Sequence, residues 1–119
     1  MLPRPQVLFL VVLAAGAYVW LTGGGPVIPA AQARELVQGG GLLVDVRTPA
    51  EYAAGHLEGA VNLPLGTLEE AVRDPALRAD ARDLVVYCRS GHRSAQAVAK
   101  LRKAGFARVH DLGSLSNWR

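Results

Sequence analysis

The residues best suited to chemistry are the single cysteine of the chain and the six residues that follow it. They come after the apolar run 84–87 and read Cys88-Arg89-Ser90-Gly91-His92-Arg93-Ser94. A loop that leads from a buried strand into a helix gathers its backbone N–H groups around one centre, and the helix dipole adds to their attraction for an anion. A thiol at the start of such a loop has its thiolate stabilised, so we predict that Cys88 is a nucleophile.

The other side chains of the loop favour a small anionic ligand. Gly91 permits the tight turn, while Ser90 and Ser94 supply hydroxyl donors to the centre of the loop. Arg89 and Arg93 supply positive charge. Because Arg93 stands at the start of the predicted helix, we expect its side chain to reach the centre of the loop and hold the anionic group of a substrate. Arg89 is expected at the rim.

The cysteine and the histidine of the loop each have a second interpretation. A lone cysteine at the end of an apolar strand is often an inert core residue. A cysteine that only packs needs no glycine turn with arginines and serines beside it, so we favour the reactive interpretation of Cys88. For His92 we favour a solvent-facing side chain, with a role in binding the substrate as the alternative.

The composition excludes several kinds of site. With 119 residues the chain has room for one small domain. Its single cysteine forbids an internal disulfide, a zinc site built on several cysteines and a dithiol redox cycle. The histidines His56, His92 and His110 are scattered along the chain. We therefore expect no metal ion and no cofactor.

The charge of the chain is uneven and points to a small anionic substrate. The net charge is +3, and ten Lys and Arg residues lie from residue 71 onward against four acids. These basic residues are mixed with Ala, Val and Leu, and only 6% of the chain is aromatic, which is little for stacking on nucleic-acid bases. A modest positive field concentrates small anions near a site. We therefore expect no nucleic-acid partner.

The elements that must position the loop alternate between short apolar strands and helices. Strands are predicted at 27–28, 42–46, 60–63, 84–87 and 108–110, and helices at 29–37, 48–55, 66–72 and 93–104. Thr48 and Glu51 have the spacing of a capping box, with Pro49 at the first helical position. Strands and helices that alternate in this way form a parallel sheet covered on both faces.

The N-terminal segment is predicted to interact with a membrane. Residues 7–22 carry no charge, and the glycines after them bring the segment to the lower limit of a membrane span, about 17 residues. It is either an uncleaved anchor or a signal peptide cleaved at Ala15-Gly16-Ala17. With Arg4 before it, both alternatives place the domain outside the cytoplasm, on the periplasmic side of the cell envelope. We predict an anchor or signal peptide plus a glycine-rich tether at 1–26, and a domain at 27–119.

Four segments of the predicted domain together resemble the single-domain rhodanese family. In chain order they are Asp45–Tyr52, Gly55–Pro64, Val86–Ser94 and Leu112–Trp118. The resemblance covers nearly all of residues 27–119 and is strongest with small bacterial members that are periplasmic or membrane-anchored. Two positions depart from the family pattern: Gly113-Ser114 stands where two glycines are usual, and Glu58 stands where a proline is usual.

The resemblance implies a fold and a reaction. The fold is an α/β three-layer fold in which helices flank a central parallel sheet of about five short strands, preceded by one N-terminal hydrophobic helix. In the reaction the Cys88 thiolate takes the outer sulfur of a donor such as thiosulfate, and sulfite leaves. A thiol or cyanide then removes the sulfur from the resulting persulfide. An acceptor protein is a further candidate partner.

Asp45 and Arg47 end another buried strand and are expected near the same edge of the sheet, as supporting residues. For both we favour a structural ion pair that ties loops together, such as Arg47 with Glu51, over direct catalysis. His56 is expected to form hydrogen bonds within its loop rather than to act as a base.

Two other functions stay open for the same fold. The domain could be a persulfide carrier or protein-binding module with little turnover of free substrates. Phosphatases and arsenate reductases of this fold have a loop one residue longer between cysteine and arginine, whereas four residues separate Cys88 from Arg93. The shorter loop suits a sulfur atom, so phosphate and arsenate chemistry is disfavoured.

Overall fold

The structure is a computed structural model that describes residues 26–79 and 82–119. Its helices are α1 (Ala30–Gln38), α2 (Pro49–Ala54), α3 (Leu68–Ala71), α4 (Pro75–Ala79) and α5 (His92–Lys103). Its strands are β1 (Leu42–Asp45), β2 (Val61–Asn62), β3 (Leu84–Cys88) and β4 (Val109–Ser114), and two 3-10 helices span Leu65–Thr67 and Leu115–Trp118. The predicted N-terminal hydrophobic helix lies outside the described residues. Among the described residues, no helix is both long enough and apolar enough to cross a membrane.

The four strands form one parallel sheet in the order β2-β1-β3-β4. β1 and β3 are its central strands, and every residue of β3 is buried. Unbroken apolar strands of this kind are typical of sheets covered on both faces. The predicted parallel sheet flanked by helices is therefore confirmed.

Side chains of the central strands alternate between two apolar clusters, one on each face of the sheet. On the first face, here called the α5 face, α3 and α5 cover Leu84, Val86 and Cys88. On the second face, here called the α1 face, α1, α2 and the C-terminal 3-10 helix cover Val85 and Tyr87. Since side chains along a strand alternate between faces, β3 directs the cysteine towards α5 and the tyrosine before it towards α1.

The strand predicted at 27–28 is reduced to a single bridge between Val27 and Asp111, at the outer edge of β4. The Ile28 N–H donates to the Asp111 carbonyl at 2.8 Å. Pro26 and Pro29 flank this pair and have no N–H to donate, so the ladder cannot continue in either direction. Within residues 26–79 and 82–119 the sheet consequently has four strands, one fewer than the sequence predicts.

The larger of the other differences from the prediction affect β4 and the segment between β2 and β3. β4 continues to Ser114, beyond the predicted end at residue 110, because it pairs with the end of β3 despite the poor strand propensity of Asp111 and Gly113. The helix predicted at 66–72 is a 3-10 turn followed by the short α3, and the sequence pattern does not predict α4.

Two helix starts frame the carboxyl end of the sheet. α2 begins with the predicted capping box: the Glu51 N–H donates to Thr48 Oγ1 at 3.2 Å, and the Thr48 N–H donates to Glu51 Oε1 at 3.0 Å. α5 begins directly after Gly91, one residue earlier than predicted. Both starts follow central strands, so both helices point their N-terminal ends at the same edge of the sheet.

Candidate active site

Cys88 is the last residue of β3, and its side chain is fully buried on the α5 face. Two backbone N–H groups of the following loop donate to its Sγ, that of Gly91 at 2.9 Å and that of Ser94 at 3.3 Å. Hydrogen bonds are stronger when the acceptor is charged, so a position with two fixed N–H donors is suited to a sulfur that carries negative charge. The structure thus gathers loop N–H groups around the sulfur, as the sequence predicts.

Gly91 allows the loop to reach this geometry. Its φ of 97° lies in the left-handed region, which is costly for a residue with a side chain. A Cβ at this position would lie 3.7 Å from the Cα of Gly113, so the backbone angle, and not a lack of space, requires glycine. Gly91 is also the N-cap residue of α5, and the positive end of the helix dipole therefore lies beside the sulfur.

Ser94 contacts the sulfur through its backbone and not through its side chain. Its buried hydroxyl donates to the Gly91 carbonyl at 3.1 Å and is also hydrogen-bonded to the carboxyl of Asp111. The hydroxyl is thus engaged within the fold rather than available as the predicted donor to the loop centre. Asp111 also accepts the Gly113 N–H at 2.8 Å, and burial raises the pKa of this carboxyl.

The Arg93 guanidinium is held by Glu51 in a bidentate ion pair. Nη1 donates to Oε1 at 2.7 Å and Nη2 donates to Oε2 at 3.0 Å. Hydrogen bonds from Arg93, and then from the Thr48 N–H, hold the pKa of Glu51 well below its usual range. Glu51 is the main cause of the raised pKa of Arg93, and negative charge on Cys88 adds to it. The guanidinium is therefore within electrostatic reach of the sulfur, although it is bound to Glu51 and not centred in the loop as expected.

Arg89, Ser90 and His92 form the exposed rim of the loop. Within residues 26–79 and 82–119, their side chains form no hydrogen bond or ion pair with the rest of the chain. The exposure of His92 agrees with the interpretation favoured from the sequence. The rim thus presents a guanidinium, an imidazole and a hydroxyl to solvent beside the buried thiol.

Ser114 ties the rim to β4. It pairs with Cys88 in the sheet, and its Oγ donates to the Arg89 carbonyl at 2.6 Å. Since the carbonyl can only accept, the Ser114 proton points at it, and the Ser116 hydroxyl 2.8 Å away must donate to Ser114 Oγ. This hydrogen bond comes from one of the two positions that depart from the family pattern.

Asp45 and Arg47 lie at the same edge of the sheet as Cys88, but on the α1 face. Arg47 Nη2 donates to Asp45 Oδ2 at 2.7 Å and to the Gly55 carbonyl at 2.6 Å. The Tyr87 hydroxyl donates to the same Oδ2 at 2.7 Å. Burial by itself raises the pKa of Asp45, but the hydrogen bonds from Arg47 and Tyr87 outweigh it and hold the pKa below its usual range.

The structural ion pair favoured for Arg47 is formed, but with a different partner. The predicted pairing with Glu51 is wrong: Arg47 pairs with Asp45, and Glu51 pairs with Arg93. Asp45 precedes Arg47 by two residues, and the spacing of two along an extended chain places both side chains on one face. The two side chains therefore meet before α2 begins.

His56 forms a hydrogen bond as expected, but its partner lies in α2 and not in its own loop. Its Nδ1 lies 2.9 Å from the Tyr52 carbonyl, and its ring stacks on the Tyr52 ring with centroids 3.7 Å apart. The Tyr52 hydroxyl in turn donates to the Ala60 carbonyl at 2.6 Å. The three residues join α2 to the segment that leads into β2.

Sequence reasoning missed the contacts of three residues at this edge. The capping box accounted for Glu51 at the start of α2, and the sequence offered Arg47, not Arg93, as its ion-pair partner. Ser114 was visible only as a departure from the family pattern. The inward direction of Asp111 follows from its place two residues after the apolar Val109, but only once the strand is known to continue beyond residue 110.

The family model of the rhodanese-like domain matches residues 29–119 of the chain. A sulfurtransferase of Allochromatium vinosum is 46% identical over 78 residues, which are 65% of this chain and 70% of that protein. The thiosulfate sulfurtransferase GlpE of Pseudomonas fluorescens is 37% identical over 93 residues, which are 77% of this chain and 83% of that protein. The structure of the human single-domain sulfurtransferase TSTD1 matches with a TM-score of 0.66 at 30% identity, over 79% of this chain and 95% of that one. The chain therefore belongs to the single-domain rhodanese family of sulfurtransferases.

Proposed function

We propose that this protein moves a sulfane sulfur from a thiosulfate-like donor to a thiophilic acceptor through a persulfide on Cys88. The observation that carries the proposal is the convergence of the Gly91 and Ser94 N–H groups on Cys88 Sγ. Fixed backbone donors of this kind stabilise an anionic sulfur without rearranging during the reaction. The name of the similar thiosulfate sulfurtransferase GlpE supports thiosulfate as the donor.

The reaction has two displacement steps. In the first, the Cys88 thiolate attacks the outer sulfur of thiosulfate, the bond between the two donor sulfurs breaks, and sulfite leaves with the bonding electron pair. The outer sulfur then carries the negative charge of the Cys88 persulfide. In the second, cyanide or a thiolate attacks this outer sulfur and Cys88 leaves as a thiolate, which restores the enzyme. Because the chain has one cysteine, the acceptor must be another molecule.

The groups around the sulfur divide into two proposed roles. Donor binding is assigned to the loop that follows the nucleophile, namely Arg89, Ser90, Gly91, His92, Arg93 and Ser94. The exposed side chains of Arg89, Ser90 and His92 are available to the donor. Gly91 and Ser94 contribute backbone N–H groups, and Arg93 contributes a guanidinium whose charge is balanced by Glu51. Asp45 and Arg47 are assigned a supporting role, since they bond to each other on the opposite face.

Intact-mass measurement after incubation with thiosulfate tests the proposal. We expect a mass increase of one sulfur atom that disappears on addition of cyanide, together with stoichiometric thiocyanate. The Cys88→Ser variant is the matched control and should show no increase. A parallel assay with a phosphoester should show no turnover; hydrolysis of the phosphoester without a sulfur adduct would overturn the proposal.

The acceptor that removes the sulfur from this adduct distinguishes an enzyme from a carrier. Rapid removal of the sulfur by cyanide or a small thiol supports turnover of free substrates. An adduct that only a protein thiol removes supports a carrier that serves an acceptor protein.

We also propose that residues 7–22 hold the domain at, or carry it across, a membrane, with the active site on the periplasmic side. The support is the uncharged sequence of this segment with Arg4 before it. Fractionation of cells that express the full chain, with N-terminal sequencing of the product, is the test. An intact chain in the membrane fraction supports an anchor, a shortened periplasmic product supports a signal peptide, and an intact chain in the cytoplasm would overturn both.

A further inference from the structure

The carboxylate of Glu51 both caps α2 and forms an ion pair with Arg93. Its Oε1 accepts the Thr48 N–H at 3.0 Å, which caps α2, and accepts Arg93 Nη1 at 2.7 Å. Its Oε2 accepts Arg93 Nη2 at 3.0 Å. The cap of α2 uses only Oε1, so Oε2 is bound by Arg93 alone.

The ion pair changes the charge that a donor meets. Arg93 is the second residue of α5 and directly precedes Ser94, whose N–H donates to Cys88 Sγ at 3.3 Å. A guanidinium at the start of this helix would attract an anion towards the sulfur. Its carboxylate partner cancels the charge, because the two groups are in bidentate contact. The uncompensated cation of the loop is then Arg89 on the exposed rim.

We propose that Glu51 determines the charge selectivity of the site for sulfur donors. By balancing Arg93, it weakens the binding of a dianionic donor such as thiosulfate more than that of a donor with one negative charge. The inference rests on the proposed function, since it concerns donors of the same Cys88 site. Glu51 acts through Arg93 and is not itself in contact with the reacting atoms.

The Glu51→Gln variant tests the inference because it removes the charge and keeps the shape. Glutamine also serves as the third residue of a capping box, so its carbonyl oxygen can still accept the Thr48 N–H. We expect the KM for thiosulfate to fall about threefold to tenfold, the effect of one partly exposed charge on a dianion. For methanethiosulfonate, which carries one negative charge, KM should fall by the square root of that factor. The reaction with this donor is the same displacement: the Cys88 thiolate bonds to its outer sulfur, the bond between the two donor sulfurs breaks, and methanesulfinate leaves.

Thr48→Ala is the matched structural control. It removes the hydroxyl that accepts the Glu51 N–H and donates to Glu51 Oε1, and it keeps both charges of the Glu51–Arg93 pair. We expect it to lower the thermal unfolding midpoint without changing the ratio of the two KM values. A ratio that changes equally in Thr48→Ala and Glu51→Gln would assign the effect to the helix start and overturn the inference.

Binding without turnover separates the inference from the proposed function. In the Cys88→Ser background, calorimetric titration with thiosulfate should give a tighter Kd when Glu51 is also replaced by Gln. An unchanged or weaker Kd, or an unchanged ratio of KM values, would overturn the charge-selectivity proposal. If the protein with intact Cys88 forms no sulfur adduct from either donor, the proposed function fails instead, whatever the Kd shows.

Discussion

The two faces of the sheet carry polar groups at the same edge, and the groups are arranged in opposite ways. On the α1 face, Asp45, Arg47 and Tyr87 bond to one another, and Arg47 also donates to the Gly55 carbonyl. Every hydrogen-bonding partner there is supplied by the chain itself. On the α5 face, Cys88 Sγ receives two backbone N–H groups and lies beneath a rim whose side chains bond to nothing else in the described part of the chain.

The difference shows how one strand end can serve both stability and chemistry. Tyr87 and Cys88 are neighbours in β3, and the alternation of side chains directs one to each face. A closed network of buried charges has no capacity left for a substrate. A sulfur that accepts amide N–H groups beneath the exposed guanidinium of Arg89 still has room for an anionic substrate. We therefore expect substitutions at Cys88 and its loop to change sulfur transfer, and those at Asp45, Arg47 and Tyr87 to change stability.

Of the substitutions that test this difference between the two faces, Cys88→Ala should have the largest effect on sulfur transfer. We expect sulfur transfer from thiosulfate to cyanide to fall by roughly a thousandfold or more, because the nucleophile is lost. The free energy of unfolding should fall by only about 1 kcal/mol, comparable with the loss of one methyl-sized group from a core. Thiocyanate production and urea unfolding measure the two quantities. Appreciable residual transfer would contradict the assignment of the nucleophile.

Arg47→Met should give the opposite pattern on the α1 face. It leaves the buried Asp45 carboxylate without its cation, and breaking a buried pair in this way costs about 3–5 kcal/mol. The kcat of the folded protein should stay within about twofold, since loss of this one charge removes no group that contacts the sulfur. Urea unfolding and steady-state kinetics at a temperature where the variant is folded are the measurements.

Tyr87→Phe is a milder variant of the same network. It removes one donor to Asp45 and the acceptor of the Leu57 N–H, and should lower the free energy of unfolding by about 1–3 kcal/mol. A tenfold fall in kcat in either variant, with stability unchanged, would show that the two faces are coupled in the reaction.

Ser114→Ala probes the support of the rim. Without the hydroxyl, the Arg89 carbonyl loses its hydrogen bond from β4. One hydrogen bond is worth about 0.5–1.5 kcal/mol, so we expect kcat/KM for thiosulfate to fall about twofold to tenfold. Ser116→Ala is the control, because it leaves the bond between Ser114 and Arg89 in place. Equal losses in the two variants would show that the 3-10 helix, and not the bond to the rim, is responsible.

The sequence predicts the nucleophile and its loop well because their signals are local. An apolar run, a glycine and a helical pattern follow one another, and the resulting strand and helix differ from β3 and α5 by one residue at the site. The capping box of α2 is predicted for the same reason, from Thr48 and Glu51 three residues apart.

The contacts that the sequence did not predict join distant parts of the chain. Glu51 and Arg93 are 42 residues apart, and their meeting depends on how β1 and β3 pair, which brings the start of α2 near the start of α5 at one edge of the sheet. The length of β4 is likewise decided by its neighbour β3 and not by its own residues, since Asp111 and Gly113 are poor strand formers. Both are tertiary effects that no local pattern contains.

The smallest expected effect concerns Asp111, the carboxyl that lies behind the loop on the α5 face. Burial raises the pKa of Asp111 above its ordinary value of 3.8, so the folded state holds this proton more tightly than the unfolded state. This contribution to stability is therefore largest at low pH and falls as the pH rises from about 4 through the raised value. Burial of the ionised carboxylate therefore destabilises the fold once the pH has risen through that value.

Asp111→Asn should remove this destabilisation, because asparagine carries no charge that must be buried. The asparagine oxygen can accept the Gly113 N–H, and its amide can donate to Ser94 Oγ, whose own proton is then free for the Gly91 carbonyl. We expect the free energy of unfolding at pH 7 to rise by about 1 kcal/mol, and its decline with pH above about 4 to become shallower. Urea unfolding of both proteins between pH 4 and pH 8 measures this. A variant that is less stable at pH 7 would instead show that attraction to Arg102 outweighs the burial of the charge, and that the α5 face, like the α1 face, depends on a paired carboxylate.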